Sequence, residues 1–241
     1  MGARQTNLAQ LAGSGLLSGV AAPLRTLPVL PAFGELLPGA VIQRGSVVGC
    51  QGSSAVSLAL ALAAGPSLAG AWVGVTGLPS LGVAAAVELG VAPERLVMVA
   101  EPAQRFGDAQ WADVLAAMID GFDVLLLGPD AFGVRAGTAR RLVARVQSRG
   151  AVLLTVAGAG TGAAPSPFGA DLQFDAADAV WQGLGEGHGV ARGRRAVVQL
   201  SGRRVPRPRS AQLWIPAADG TVEPASSVTA ARPVPSLRRT G

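Results

Sequence analysis

Residues 45–64 read GSVVGCQGSSAVSLALALAA. The first six, GSVVGC, have the apolar, β-branched character of a short strand that ends in a glycine turn. Ser54 to Ala64 reads as a helix, with Gly65-Pro66 as its terminator. A strand, a glycine-containing turn and a helix in that order open many parallel sheets, and the segments that follow repeat the theme. Ala71–Thr76 predicts a strand, and Leu81–Leu89 a helix closed by Gly90. Arg95–Ala100 predicts a strand, and Asp108–Asp120 a helix with Asp108 as N-cap, on which Trp111, Val114, Leu115 and Met118 share one face. Asp123–Leu127 predicts a strand, Thr138–Arg149 a helix and Ala151–Val156 a further strand. Near-continuous apolar strands alternating with helices mark a parallel sheet covered on both faces. Beyond Ala157 the pattern changes. GAGTGAAPSPFG (158–169) predicts a flexible loop, and LQF, AVW, AVVQL (196–200) and AQLWI (211–215) predict short antiparallel strands that extend the sheet.

Composition narrows the chemistry. The 241 residues are 49% hydrophobic and 15% charged, which excludes a disordered chain or a coiled coil as a whole. A single cysteine excludes a disulfide framework. One histidine and one cysteine cannot build the usual zinc cage, so no metal site is expected. All 20 basic residues are arginine. A chain without lysine cannot carry the phosphate-gripping lysine of a P-loop or a Schiff-base lysine. No charged residue lies between Arg44 and Glu88. That stretch is broken by Gly65-Pro66 and Pro79, so it predicts buried core, not a membrane span, and the expected location is cytoplasmic. Charge is uneven: residues 191–241 hold ten arginines and two acids, net +8.

The turn GCQGSSAVSLALAL has the length and following apolar helix of the RecA family's phosphate loop, G-x-x-x-x-G-K-[ST]. The upstream segment FGELLPGAVIQRGSVVGC resembles that family's lead-in. The resemblance covers about residues 25–220, and within RecA-like proteins the chain looks most like ImuA in its shorter actinobacterial form. It implies an α/β fold with a mostly parallel RecA-like sheet, helices on both faces and C-terminal antiparallel hairpins. The expected organisation is an N-terminal segment (1–24), a degenerate core (25–220) and a disordered Pro/Ala/Arg-rich tail (221–241).

Laid on the family pattern, Gly49 takes the first glycine, with Gly52 and Ser53 inside the loop. Ser54 takes the second glycine, Ala55 the lysine and Val56 the Mg²⁺-binding hydroxyl. Ser57 is the only hydroxyl that could slide into the last role. Where the family's Walker B aspartate belongs stands Gly128, with Asp130 the nearest rescue. The strand ending at Thr76-Gly77 lacks the family's water-activating glutamate, and AVLLTV runs into Ala157-Gly158 where a polar γ-phosphate sensor belongs. Each such group commonly supplies orders of magnitude in rate, so no ATPase, no cofactor and no enzymatic activity are expected.

What remains is a vestigial loop and a basic C-terminal segment. RGRRAVVQLSGRRVPRPRS places Arg192, Arg194, Arg195, Arg203, Arg204, Arg207 and Arg209 around one apolar strand, as a contact for a protein partner or for the phosphates of DNA. The loop 158–169, which in RecA-type filaments would hold DNA, has no charge and one aromatic, Phe168. By resemblance to ImuA, the chain is expected to act in DNA-damage-induced mutagenic translesion synthesis. Its partner would be a Y-family-polymerase-like protein of the ImuB type, and through it an error-prone C-family polymerase and the sliding clamp. Weak DNA binding would be secondary. The N-terminal apolar stretch Leu8–Val20 is a second candidate contact. Three alternatives stand beside this: a nucleotide-dependent RecA-like ATPase, a SulA-type cell-division inhibitor and a standalone single-strand DNA binder. Cys50 reads as a small core filler, His188 as a loop residue, and Asp171, Asp175 and Asp178 as solvated turn residues.

Overall fold

A computed structural model describes residues 25–101, 106–157, 165–185 and 188–225. The expected N-terminal segment, its stretch Leu8–Val20 and most of the expected tail lie outside them. Nine strands form the main sheet. Six run parallel; the first five in chain order are β3 (Val47–Gly52), β4 (Val73–Thr76), β5 (Leu96–Val99), β6 (Val124–Leu127) and β7 (Val152–Val156). They stand in the order β3-β7-β6-β4-β5. β8 (Leu172–Gly185) pairs parallel with β3 on the other side. β9 (His188–Ser201), β10 (Arg209–Trp214) and β11 (Glu223–Pro224) then add antiparallel. This is the mostly parallel sheet with antiparallel C-terminal strands that the sequence predicts. It runs past residue 220, since Glu223 and Pro224 pair with Trp214 and Leu213.

Alternate residues of each inner strand enter opposite layers, which is why the strands carry apolar runs instead of alternation. In β6, Val124 and Leu126 join one buried cluster, while Leu125 and Leu127 join the other. α1 (Ala55–Leu68) and α2 (Val83–Glu88) lie with the first cluster; α3 (Asp108–Gly121) and α4 (Ala136–Arg149) enclose the second. On α3, Trp111, Leu115 and Met118 are buried as the spacing predicts, and Val114 packs at the rim. A two-stranded sheet of β1 (Thr26–Pro28) and β2 (Val41–Gln43) sits beside α1.

Four local expectations change. α1 does not stop at Gly65-Pro66 but runs on to Leu68. A Cβ at Gly65 would lie 2.6 Å from the Val29 backbone, so this glycine lets the chain leaving β1 cross the helix and is not a terminator. Asp108 is not the N-cap of α3. Gly107 holds that position, and Asp108 accepts hydrogen bonds from Arg135 N (2.7 Å) and Thr138 Oγ1 (3.2 Å) at the start of α4. LQF and AVW, expected as separate short strands, are one 14-residue strand, β8, and AVVQL lies in a second, β9, with irregularities between Ala177 and Val180 and between Gln182 and Leu184, whereas AQLWI forms the short antiparallel strand β10 as expected. His188 is the first residue of β9, not a loop residue.

Asp171 also departs from expectation. It is 5% exposed, and its carboxylate accepts from Val47 N (3.0 Å) and Arg203 Nη2 (3.1 Å), with Arg204 Nε at 3.5 Å. A buried carboxylate is tolerated because a backbone donor and two guanidinium groups replace its water.

Candidate functional site

The carboxyl ends of β3, β6 and β7 converge at the start of α1, where open α/β sheets bind ligands. Gly49, the first glycine of the pattern, lies inside β3, paired on both sides with Thr155 and Gln173. Pairing with β8 continues through Cys50↔Phe174, Gln51↔Asp175 and Gly52↔Ala176. Gly49 to Gly52 are therefore held as strand, Ser53 and Ser54 make the turn into α1, and Gln51 Nε2 donates to Asp175 Oδ2 at 2.7 Å. Gly52 has φ +92°, and a Cβ there would meet the Ala176 carbonyl at 2.3 Å; Ser53 Oγ reaches that same carbonyl at 3.5 Å.

Ser54 is the N-cap of α1, yet its side chain makes no capping hydrogen bond. Its hydroxyl is buried without a partner among the described residues. Ala55, at the lysine position, is buried in the apolar cluster; Val56, at the metal-hydroxyl position, is exposed. Ser57 Oγ accepts a 2.7 Å hydrogen bond from Arg194 Nη2. The hydroxyl nearest the metal-binding role thus already serves a cation.

The Walker B position is closed by backbone. Gly128 N donates to Thr76 O at 2.9 Å, and a Cβ at Gly128 would lie 1.9 Å from the Gly77 carbonyl oxygen. No side chain fits there. Asp130 is exposed in the helical turn Pro129–Phe132 and borders the neighbouring cavity with Thr76 and Glu101, not the cleft at α1. Thr76, at the end of β4, donates its hydroxyl to Val99 O at 2.9 Å. β7 ends with Ala157 N on Cys50 O at 2.9 Å, a backbone bond at the sensor position. Cys50 is fully buried, and burial pushes its thiol up to about 12, so it is a core filler.

The seven arginines of the basic segment do not form one surface. Arg203 and Arg204 hold Asp171, and Arg204 Nη1 also donates to Gln43 Oε1 and Ser46 Oγ, both at 3.2 Å. Arg209 Nη1 donates to Leu36 O at 3.0 Å. Arg194 turns into the cleft, donating through Nε to Ile215 O at 3.0 Å, with its guanidinium 5.2 Å from the Trp181 ring centre. Arg192, Arg195 and Arg207 are exposed. Around the outer hairpin, Val180, Trp181, Leu184 and Val190 are also exposed. Phe168 is buried against Phe132 at 6.4 Å, so the one aromatic of the 158–169 loop belongs to the core; residues 158–164 lie outside the described residues.

Arg194 is the site residue whose role the spacing hid. Its signal was its phase: Ala196, Val198 and Leu200 alternate inward on β9, and Arg194 continues that row.

Known proteins fit this frame. The chain is 35% identical over 126 residues to the uncharacterized protein Rv3395c of Mycobacterium tuberculosis, a match covering 52% of this chain and 59% of that protein. The chain therefore spans less than two thirds of that relative's length. Residues 35–161, a little over half of the chain, match the pattern of the MT3502 N-terminal domain, a segment that holds most of the lead-in, the turn and the parallel strands β3 to β7. The chain belongs to the MT3502 N-terminal domain family.

Proposed function

We propose that this protein is a non-catalytic accessory factor of DNA-damage-induced mutagenic translesion synthesis, an ImuA-type protein that acts by binding a Y-family-polymerase-like partner. One observation carries the reading: the sheet is kept while the nucleotide positions are filled by groups that cannot do nucleotide chemistry. Gly128 has no room for an aspartate, Ala55 stands buried for the lysine, and β3 stays paired where a phosphate loop would open. A fold retained without its chemistry serves as a scaffold for contacts.

The outer β8–β9 hairpin supports a protein contact. Val180, Trp181, Leu184 and Val190 expose apolar surface beside Arg192 and Arg195, the aromatic–aliphatic–arginine mixture enriched at protein interfaces. Direct DNA binding by the whole basic segment is less well supported, because Arg203, Arg204 and Arg209 spend their donors on the protein itself. Pull-down of the full chain from damaged cells tests the proposal: a Y-family-polymerase-like protein should be retained. Retention of the division GTPase instead would support the SulA-type alternative.

A further inference from the structure

The cavity bordered by Asp130 has a volume of about 390 Å³ and lies at the carboxyl ends of β4 and β5. Much of its lining is apolar. Val75 and Met98 are register partners on these adjacent parallel strands, so their side chains leave the same face of the sheet, and Leu78 and Pro79 continue the wall. Met98 is 41% exposed there, a large apolar side chain left open on a strand. The charge of the lining has one sign. Thr76 spends its hydroxyl on Val99 O, and Glu101 accepts from Phe106 N at 2.8 Å through one oxygen only. Asp130 is exposed and has no hydrogen-bond or ion-pair partner among the described residues. No described residue lining the cavity is basic.

Two carboxylates on an apolar cavity favour a side chain with an aliphatic stem and a cationic head, arginine above all. The described residues end at Ala225, and residues 226–241 beyond it carry Arg232, Arg238 and Arg239, interspersed with Val234 and Leu237, without a single acid. Residues 1–24, at the other terminus, carry one arginine. Length is sufficient: the stretch from Ala225 to Arg239 spans up to about 45 Å, comparable with the ~40 Å diameter of a domain this size. The chain that leads into this segment already lies against α2. A Cβ on Gly220 would sit 3.5 Å from Glu88 Cβ, on the helix that follows the cavity wall of Leu78 and Pro79. We propose that the C-terminal segment, residues 226–241, docks in this cavity of its own chain, its guanidinium groups paired with Glu101 and Asp130 and its apolar side chains covering Met98. Docked there, the tail withholds its arginines from an acidic partner or from phosphates. The inference does not depend on the identity of the protein partner.

Paramagnetic broadening in the full ¹⁵N-labelled chain tests it, with a nitroxide on Ser236→Cys; Cys50 is buried and takes no label. The amide signals of Leu78 and Ala100 should broaden, while those of Gly70 and Gly150 should not. Because the pairs are exposed, the broadening should fall about twofold or more in about 0.5 M salt and in the double variant Glu101→Gln, Asp130→Asn. Should that variant fail to fold, neutralising the tail instead, with Arg232, Arg238 and Arg239 all changed to Gln, should give the same loss. No broadening at Leu78 and Ala100, or broadening indifferent to both sets of substitutions, would overturn the proposal. A mixture of nitroxide-bearing ¹⁴N chains with unmodified ¹⁵N chains separates the occupants. No broadening there supports docking within one chain, and broadening there would assign the cavity to a second copy and overturn it.

Discussion

Gly128, at the end of β6, and Gly77, just past β4, stand so close that a Cβ on Gly128 would lie 1.9 Å from the Gly77 carbonyl oxygen. Neither glycine is decoration: the chain closes over the place where a RecA-type ATPase holds its metal-binding aspartate. Installing the residues of the RecA pattern is therefore expected to damage the protein. Gly128→Asp should destabilise by about 3 kcal/mol or more, because backbone must move to admit the side chain. Ala55→Lys forces an ammonium into an apolar cluster and should also lower stability. Denaturant unfolding measures both, and ATP hydrolysis should stay at background in each.

Asp171 should prove a structural carboxylate. It joins β3, through Val47 N, to Arg203 and Arg204. Asp171→Ala leaves a buried N–H without its acceptor and should cost about 2 kcal/mol. Arg203 is largely exposed, so Arg203→Ala should cost about 1 kcal/mol or less. Equal losses in the two variants would show that Asp171 does not hold the β3 end.

The fold was legible where the cause is local. The apolar runs of β3 to β7 and the face of α3 are readable because burial on both sheet faces and a helical repeat leave direct marks in residue order. What escaped depends on residues distant in the chain. Gly65 looks like a helix end until Val29 is seen crossing it. Asp171 looks like a turn residue until Arg203 and Arg204, more than thirty positions on, close over it. The absence of a loop lysine is visible in the sequence alone, whereas Arg194 reaching Ser57 across 137 positions is not.

Cys50 should resist modification in the native state. Its thiol is raised from the ordinary value of 9.0 to about 12 by burial, so folding favours the neutral form. The sign follows: stability is unaffected by this group below pH 9 and falls as pH rises from 9 toward 12, where only the unfolded chain ionises. Iodoacetamide at pH 8 should label the protein only after denaturation. Rapid labelling of the folded chain would contradict the burial.

The outer hairpin should separate binding from stability. Val180, Leu184 and Val190 are more than half exposed, so replacing each by serine should shift the unfolding free energy by about 0.5 kcal/mol or less. The same triple variant should lose retention of the proposed polymerase-like partner in a pull-down. Unchanged retention would move the contact elsewhere on the molecule.

The central claim is that this sheet retains no nucleotide hydrolysis, and phosphate release from ATP tests it most directly. The full chain, with magnesium, with and without the proposed polymerase-like partner, is predicted to release no phosphate above the protein-free background. Magnesium-dependent release that scales with protein concentration would contradict the account.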